Sequence, residues 1–398
     1  MKTQPTLRAG LVLFISLMLT FKQVEAQATS QLQGPLIAVN SAEQDAIYLY
    51  DLASGQARTL RFGTQWHMVW GFVDGGCRVV YTLSDGPALG RLYSARLDGS
   101  DARQLVTFDE LSAADWGVWE PQASPDGTRI AFVMIRREFE VDGSTDLTHH
   151  IAWVPAAGGA PNFYSVTGDE HEPEWSPDGG WLAYISYSER LPGADPLATA
   201  VPTPDGAAAF TGTLVREADL WVVSTDGTDK YNLTDFPVGS VRGPRWRGDS
   251  QLLTFVYAPT PGNDQFWMTA NTRGAISAQL SQLYTLILDS TWYPDGTAIL
   301  GTARGLRGVE QNLLWRIPLV GVADTDAARY GDQPQMDYAD YPRFSPDGRW
   351  LAARSDYRLV LLDTLSGTWQ SLPTPPGNTP PVWSPATFAG EAACEGTS

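Results

Sequence analysis

The stretch "YPRFSPDGRWLAARS" (Tyr341–Ser355) reads as a short strand, a tight turn and a second strand, and close copies of it recur along the chain. They are "EPQASPDGTRIAFVM" from Glu120, "EPEWSPDGGWLAYIS" from Glu172, "GPRWRGDSQLLTFVY" from Gly243 and "STWYPDGTAILGTA" from Ser290. In Ser-Pro-Asp-Gly, proline pre-sets φ for the first central turn position, aspartate suits the second, and glycine takes the positive-φ position that closes a hairpin. The phrase is therefore a hairpin signal. Asp126, Asp178, Asp295 and Asp347 are assigned to the turn and not to acid–base or metal chemistry, because every copy of the phrase carries one.

Self-similarity at intervals of some tens of residues is the mark of a repeat fold. Each phrase is followed by a second apolar strand, a variable gap, a third strand of period-two alternation and a short fourth strand after a Gly-containing turn. Four antiparallel strands per repeat is the pattern of a propeller blade. Seven third strands can be read, at residues 46–52, 91–97, 149–155, 219–224, 265–270, 312–318 and 358–364. The first strands are out of phase with them. "PPVWSP" (380–385) has no second strand after it, whereas the segment 34–60 has second, third and fourth strands but no first. Joined, the two make one complete repeat. The sequence thus predicts an all-β protein, a β-propeller of seven four-stranded blades closed by a C-terminal strand that completes the N-terminal blade. Six or eight blades stay open, because the first turn is degenerate and one gap is long.

The 398 residues carry a net charge of −18, with 43% hydrophobic and 11% aromatic content, as expected of a chain with a large core. No Lys/Arg-rich run offers a surface for phosphates, which argues against nucleic acid. Lys2 and Arg8 precede the apolar run "AGLVLFISLML", and Ala26-Gln27-Ala28 gives a small-x-small cleavage signal. Residues 1–28 are read as a signal peptide, 29–385 as a single propeller domain and 386–398 as a C-terminal tail. An exported chain, periplasmic or extracellular, with no transmembrane segment after cleavage, is the expectation. Cys77 and Cys394 are the only cysteines, and closure of the ring brings the two ends of the chain together. They form a candidate disulfide, the other reading being that Cys394 lies in a free tail.

The pattern P-x-W-S-P-D-G, I-A-F, I-Y-x-x-D, G, L-T resembles the TolB-like propeller repeats, shared with the propeller domains of prolyl-oligopeptidase-type peptidases, from about Pro35 to Pro385. The resemblance implies the fold more than a function, because such propellers host many roles. TolB itself carries an N-terminal α/β domain before its propeller. Here the first strand follows closely on the apolar segment, and a role like that of TolB does not carry over with the repeats.

The sequence has no G-x-S-x-G, no H-E-x-x-H, no C-x-x-C and no phosphate loop. Its histidines are His67, His149, His150 and His171. A propeller relative, the oligogalacturonate lyase type, holds a metal on histidines in its central channel, and that likeness makes His67, His150 and His171, from three blades, candidate ligands for a divalent cation. No other cofactor is expected. Propeller topology places the loops entering each first strand, and those joining second to third strands, around the channel mouth, opposite the Ser-Pro-Asp-Gly turns. Those loops crowd acids and aromatics: Trp66, Asp115, Trp116, Trp119, Glu120, Asp169, Glu170, His171, Glu172, Asp337 and Asp340. Such a rim suits a basic protein segment, a cation or a stacked sugar. Two insertions, 188–218 and 136–148, fall at equivalent places in neighbouring repeats and are expected to flank the mouth. The leading expectation is a monomeric, non-enzymatic module that binds an envelope or extracellular protein. The alternative is a carbohydrate-binding or metal-dependent polysaccharide-lyase-like propeller.

Overall fold

The computed structural model describes residues 22–23, 31–84, 90–107, 115–139, 145–165, 168–190, 215–236, 239–259, 265–273, 276–280, 286–304, 312–320, 328–329, 339–355, 358–372 and 379–396. The expected signal peptide, Asp337 and the body of the 188–218 insertion lie outside the described residues, apart from the pair 22–23 and the insertion's two ends.

Strand pairing among the described residues gives five sheets, one of five strands, one of twelve and three of four. The twelve-stranded sheet joins three antiparallel groups of four through the single parallel pairings His149↔Asp169 and Ala218↔Ser240, and the five-stranded one includes Lys22–Gln23, parallel to Gln56–Leu60; the antiparallel groups are numbered here as blades. Blade 1 holds Leu36–Asn40, Ile47–Asp51 and Gln56–Leu60. Blade 2 runs from Trp66–Val73 to Arg103–Gln104, and blade 3 from Trp116–Ala123 to Asn162–Phe163. Blade 4 runs from Asp169–Trp175 to Lys230–Asn232, and blade 5 from Ser240–Trp246 to Ile276–Gln279. Blade 6 runs from Leu286–Trp292 to Ala328–Arg329, and blade 7 from Ala339–Phe344 to Thr368–Ser371. The first, channel-lining strand of blade 1 is Val382–Trp383, which pairs antiparallel with Leu36–Asn40 through Ile37↔Trp383 and Ala38↔Val382. Closure therefore consumes the open edge that blade 1 would otherwise present.

The core is distributed between blades. Alternation along each strand gives every sheet two apolar faces, so each blade must bury both against its neighbours. Seven clusters of buried side chains result, one per seam. Tyr81 and Leu49 meet between blades 1 and 2, and Phe132 and Leu92 between 2 and 3. Tyr184 and Val133 meet between 3 and 4, and Phe255 and Leu220 between 4 and 5. Trp267 packs with Ile299, Leu300 with Leu351, and Leu361 of blade 7 with Ile37 of blade 1, which closes the ring.

Each Pro-Asp-Gly turn is built as its residues require. Gly127, Gly179, Gly296 and Gly348 have φ between 67° and 71°. Asp126 Oδ1 accepts from the Ser124 hydroxyl at 2.6 Å and from the Thr128 N–H at 3.0 Å, and Asp178 accepts from Ser176 and the Gly180 N–H at 2.6 and 2.9 Å. Asp295 and Asp347 accept in the same way from the N–H two residues on. These four carboxylates are spent on their own turns.

The C-terminal segment is docked against the propeller. Cys394 is bonded to Cys77, with Cα atoms 5.5 Å apart. Glu391 takes both terminal nitrogens of Arg58, at 2.6 and 2.9 Å, and the Leu32 N–H at 3.0 Å. The Phe388 ring fills the space above Gly34 and Gly76, where a Cβ would come within 2.7 and 2.8 Å of it. Both glycines have positive φ, so neither position admits a larger residue easily. The C-terminus thereby straps blade 1 to the turn of blade 2.

Candidate functional site

First strands from all seven blades line one central cavity of about 470 Å³. Four of these strands bend at the same place, where a residue with φ of 50° to 64° precedes a proline: Glu120-Pro121, Glu172-Pro173, Gly243-Pro244 and Tyr341-Pro342. At each, two residues oppose one on the second strand, a β-bulge. Proline fits there because a bulge needs no ladder donor, and the bulge turns the preceding residue toward the channel.

The bulges are linked by their own carboxylates. Glu120 accepts the Glu172 N–H at 2.7 Å, and Glu172 accepts the Gly243 N–H. Burial, then the neighbouring Glu172, pushes the Glu120 carboxyl above its usual range. Further round the ring, Asp289 is held between Arg245 at 3.0 Å and Arg343 at 2.7 Å, and Arg245 also lies 3.5 Å from Glu174. Burial would raise the Asp289 pKa, but the two guanidiniums outweigh it and hold the carboxyl below the usual range. Tryptophans at one repeat position reach back a blade. Trp175, Trp246, Trp292 and Trp383 donate their indole N–H to the carbonyls of Gln122, Glu174, Arg245 and Arg343 at 2.9–3.0 Å. Carboxylates and tryptophans in the repeat phrases thus hold blade to blade.

The residues expected at the rim divide accordingly. Glu120 and Glu172 line the channel and are engaged as above. Glu170 is buried and accepts the Ile151 N–H of blade 3 at 3.0 Å. Asp340 is buried in an ion pair with Arg354, Nε to Oδ1 2.8 Å. Trp116 is buried under the Arg91 guanidinium, 4.1 Å above its ring, and the Asp115 carbonyl accepts the Arg137 N–H at 2.7 Å. Two tryptophans remain open to solvent: Trp66 is 50% and Trp119 44% exposed. Trp119 meets Trp70 edge-on at 6.1 Å, and both rings border the cavity. Trp66 begins the strand that carries Trp70.

The histidines do not gather in the channel. His67 is fully buried in the blade 1–2 seam, where its Nε2 accepts the Phe62 N–H at 2.8 Å; it serves the core. His150 is buried, and that burial lowers its pKa. The histidine that joins His171 is His149, its neighbour on the opposite face of the strand. His149 Nδ1 lies 2.7 Å and His171 Nε2 2.8 Å from Asp169 Oδ1. A backbone pairing, His149↔Asp169, brings blades 3 and 4 together at this point. Above it rise the two longest hairpins, Arg129–Phe139 with Thr145–Pro155 and Trp181–Arg190 with Val215–Ser224, from the two insertions. Sequence reasoning missed His149 because strand register, which decides the face, was not available.

No family model matches the chain. Over 253 residues it is 27% identical to a Bacillus subtilis protein described as the uncharacterized peptidase YuxL, a match that spans 63% of this chain and only 31% of that protein. Among solved structures, a Mycobacterium tuberculosis puromycin-hydrolyzing peptidase matches 85% of this chain and 51% of its own, with a TM-score of 0.58 and 14% identity. An oligogalacturonate lyase in complex with manganese matches 83% of this chain and 95% of its own, with a TM-score of 0.54 and 15% identity. These likenesses establish the class, a β-propeller. Among the described residues no helix is long and apolar enough to cross a membrane.

Proposed function

We propose that the chain is an exported, TolB-like propeller that acts as a non-enzymatic protein-interaction module, holding an extended, basic segment of an envelope or extracellular partner at the channel mouth. The observation that carries this reading is the contrast around the cavity. Glu120, Glu172 and Asp289 are each held by a bulge N–H or by arginines, whereas Trp119 on the cavity lining, and Trp66 at the start of the strand that carries the lining Trp70, stand about half exposed. A carboxylate engaged in that way is poorly placed to shuttle protons, but exposed aromatics beside a cavity are common anchors for a partner. The overall charge of −18 favours a basic partner by steering its approach.

The same tryptophans keep a glycan-binding reading alive, since indole rings stack on sugars. Its lyase form loses support, because His67, His150 and His171 do not meet. The test is affinity capture from envelope and secreted fractions with wild-type bait and with Trp66→Ala/Trp119→Ala. A protein enriched by the wild type and depleted about tenfold by the variant supports the reading. Equal capture by both baits, or release of the captured protein by soluble oligosaccharide, overturns it.

A further inference from the structure

We infer that His149, Asp169 and His171 form a binding site for a divalent transition-metal ion at the seam of blades 3 and 4, independently of what the channel mouth binds. Their ligand atoms all lie within 4.8 Å of one another, close enough for one ion to reach all three. The residues sit on strands, not loops. Asp169 and His171 are two apart on one strand and so face the same side, while the backbone pairing His149↔Asp169 fixes the third residue opposite them. Such mounting on rigid elements is what a metal site requires.

The rings already converge, with His149 and His171 centroids 4.6 Å apart and inclined by 38°. A Tyr187 ring meets His171 edge-on at 5.3 Å and limits its rotation. His171 Nε2 is hydrogen-bonded to Asp169 Oδ1 at 2.8 Å, and His149 Nδ1 stands 2.7 Å from the same carboxylate oxygen. An ion with metal–nitrogen distances of about 2.0–2.1 Å replaces these direct N–O contacts after small side-chain rotations. All three side chains are partly open to solvent, at 21%, 35% and 23%, so the remaining coordination positions can take water or an oxygen ligand. Two imidazoles and one carboxylate favour Zn²⁺-like ions over Ca²⁺ and Mg²⁺, which demand oxygen donors.

The experiment is titration of the purified full chain with Zn²⁺ against a competing chelating dye, with thermal melting in parallel and Ca²⁺ as the contrasting ion. One Zn²⁺ per chain is expected, with a raised melting temperature and no response to Ca²⁺. His149→Ala/His171→Ala and the near-isosteric Asp169→Asn should each weaken binding about tenfold or more, while His150→Gln retains it. Circular dichroism shows whether each variant is folded, and the zinc absorption edge of wild type should report two imidazoles. No stoichiometric Zn²⁺ on the folded wild type, or undiminished affinity in the folded double variant, overturns the site.

Discussion

The turn face and the channel side of this propeller use the same residue types for different ends. On the turn face, Asp126, Asp178, Asp295 and Asp347 repeat in register, and each closes its own hairpin. On the channel side, Glu120 and Glu172 also repeat in register, and each satisfies the bulge of the next blade. By contrast, Trp66, Trp119 and the His149–Asp169–His171 group have no counterpart among the described residues of the other blades. Recurrence at a fixed repeat position marks a structural duty that every blade shares. Departure from it marks what only one part of the ring does.

The comparison breaks first if the repeated channel charges are dispensable. Asp289→Ala leaves Arg245 and Arg343 without their shared carboxylate in a buried setting, and should cost about 3–5 kcal/mol in urea unfolding. Because the folded Asp289 pKa is lowered, its contribution is complete above the unfolded carboxylate value of about 3.9 and lost as pH falls through the folded one. The stability gap between wild type and variant should therefore narrow below about pH 4. A cost under about 1 kcal/mol at neutral pH would show the network to be solvated.

Next in size is the strap. Cys77→Ser with Cys394→Ser opens a link that spans 317 residues and should lower stability by about 2–4 kcal/mol. Unchanged unfolding would mean that Phe388 and Glu391 suffice to dock the C-terminus.

The smallest effect sharpens the distinction most. Glu120→Ala strands the Glu172 N–H and should cost about 1–3 kcal/mol, whereas Glu120→Gln keeps an acceptor oxygen and should be near neutral. Neither should change partner capture beyond its effect on folding. Loss of capture by a fully folded Glu120→Gln would return that residue to the binding surface.

The fold was largely legible because hairpin chemistry and strand alternation are local, and because the phase difference between first and third strands pointed to closure by "PPVWSP". The site was legible only in part. That Glu120 and Glu172 bind neighbouring blades depends on bulges whose trace in the sequence is a proline one residue on, at the same repeat position in Pro121, Pro173, Pro244 and Pro342. Choosing His149 over His150 depends on register, since adjacent strand residues face opposite ways: His149 stands opposite Ile135 and His150 opposite Met134. The tail "GEAACEGTS" has no periodicity to read, and its docking rests on Phe388, Glu391 and Cys394 meeting residues more than three hundred positions away.

The most direct measurement is hydrogen exchange on the propeller with its captured partner bound. Protection should centre on the mouth segments around Trp66–Trp70 and Trp116–Glu120, leaving the turns at Ser124–Arg129, Ser176–Trp181 and Ser345–Trp350 at their free rates. Protection confined to those turns would contradict the assignment of binding to the channel mouth.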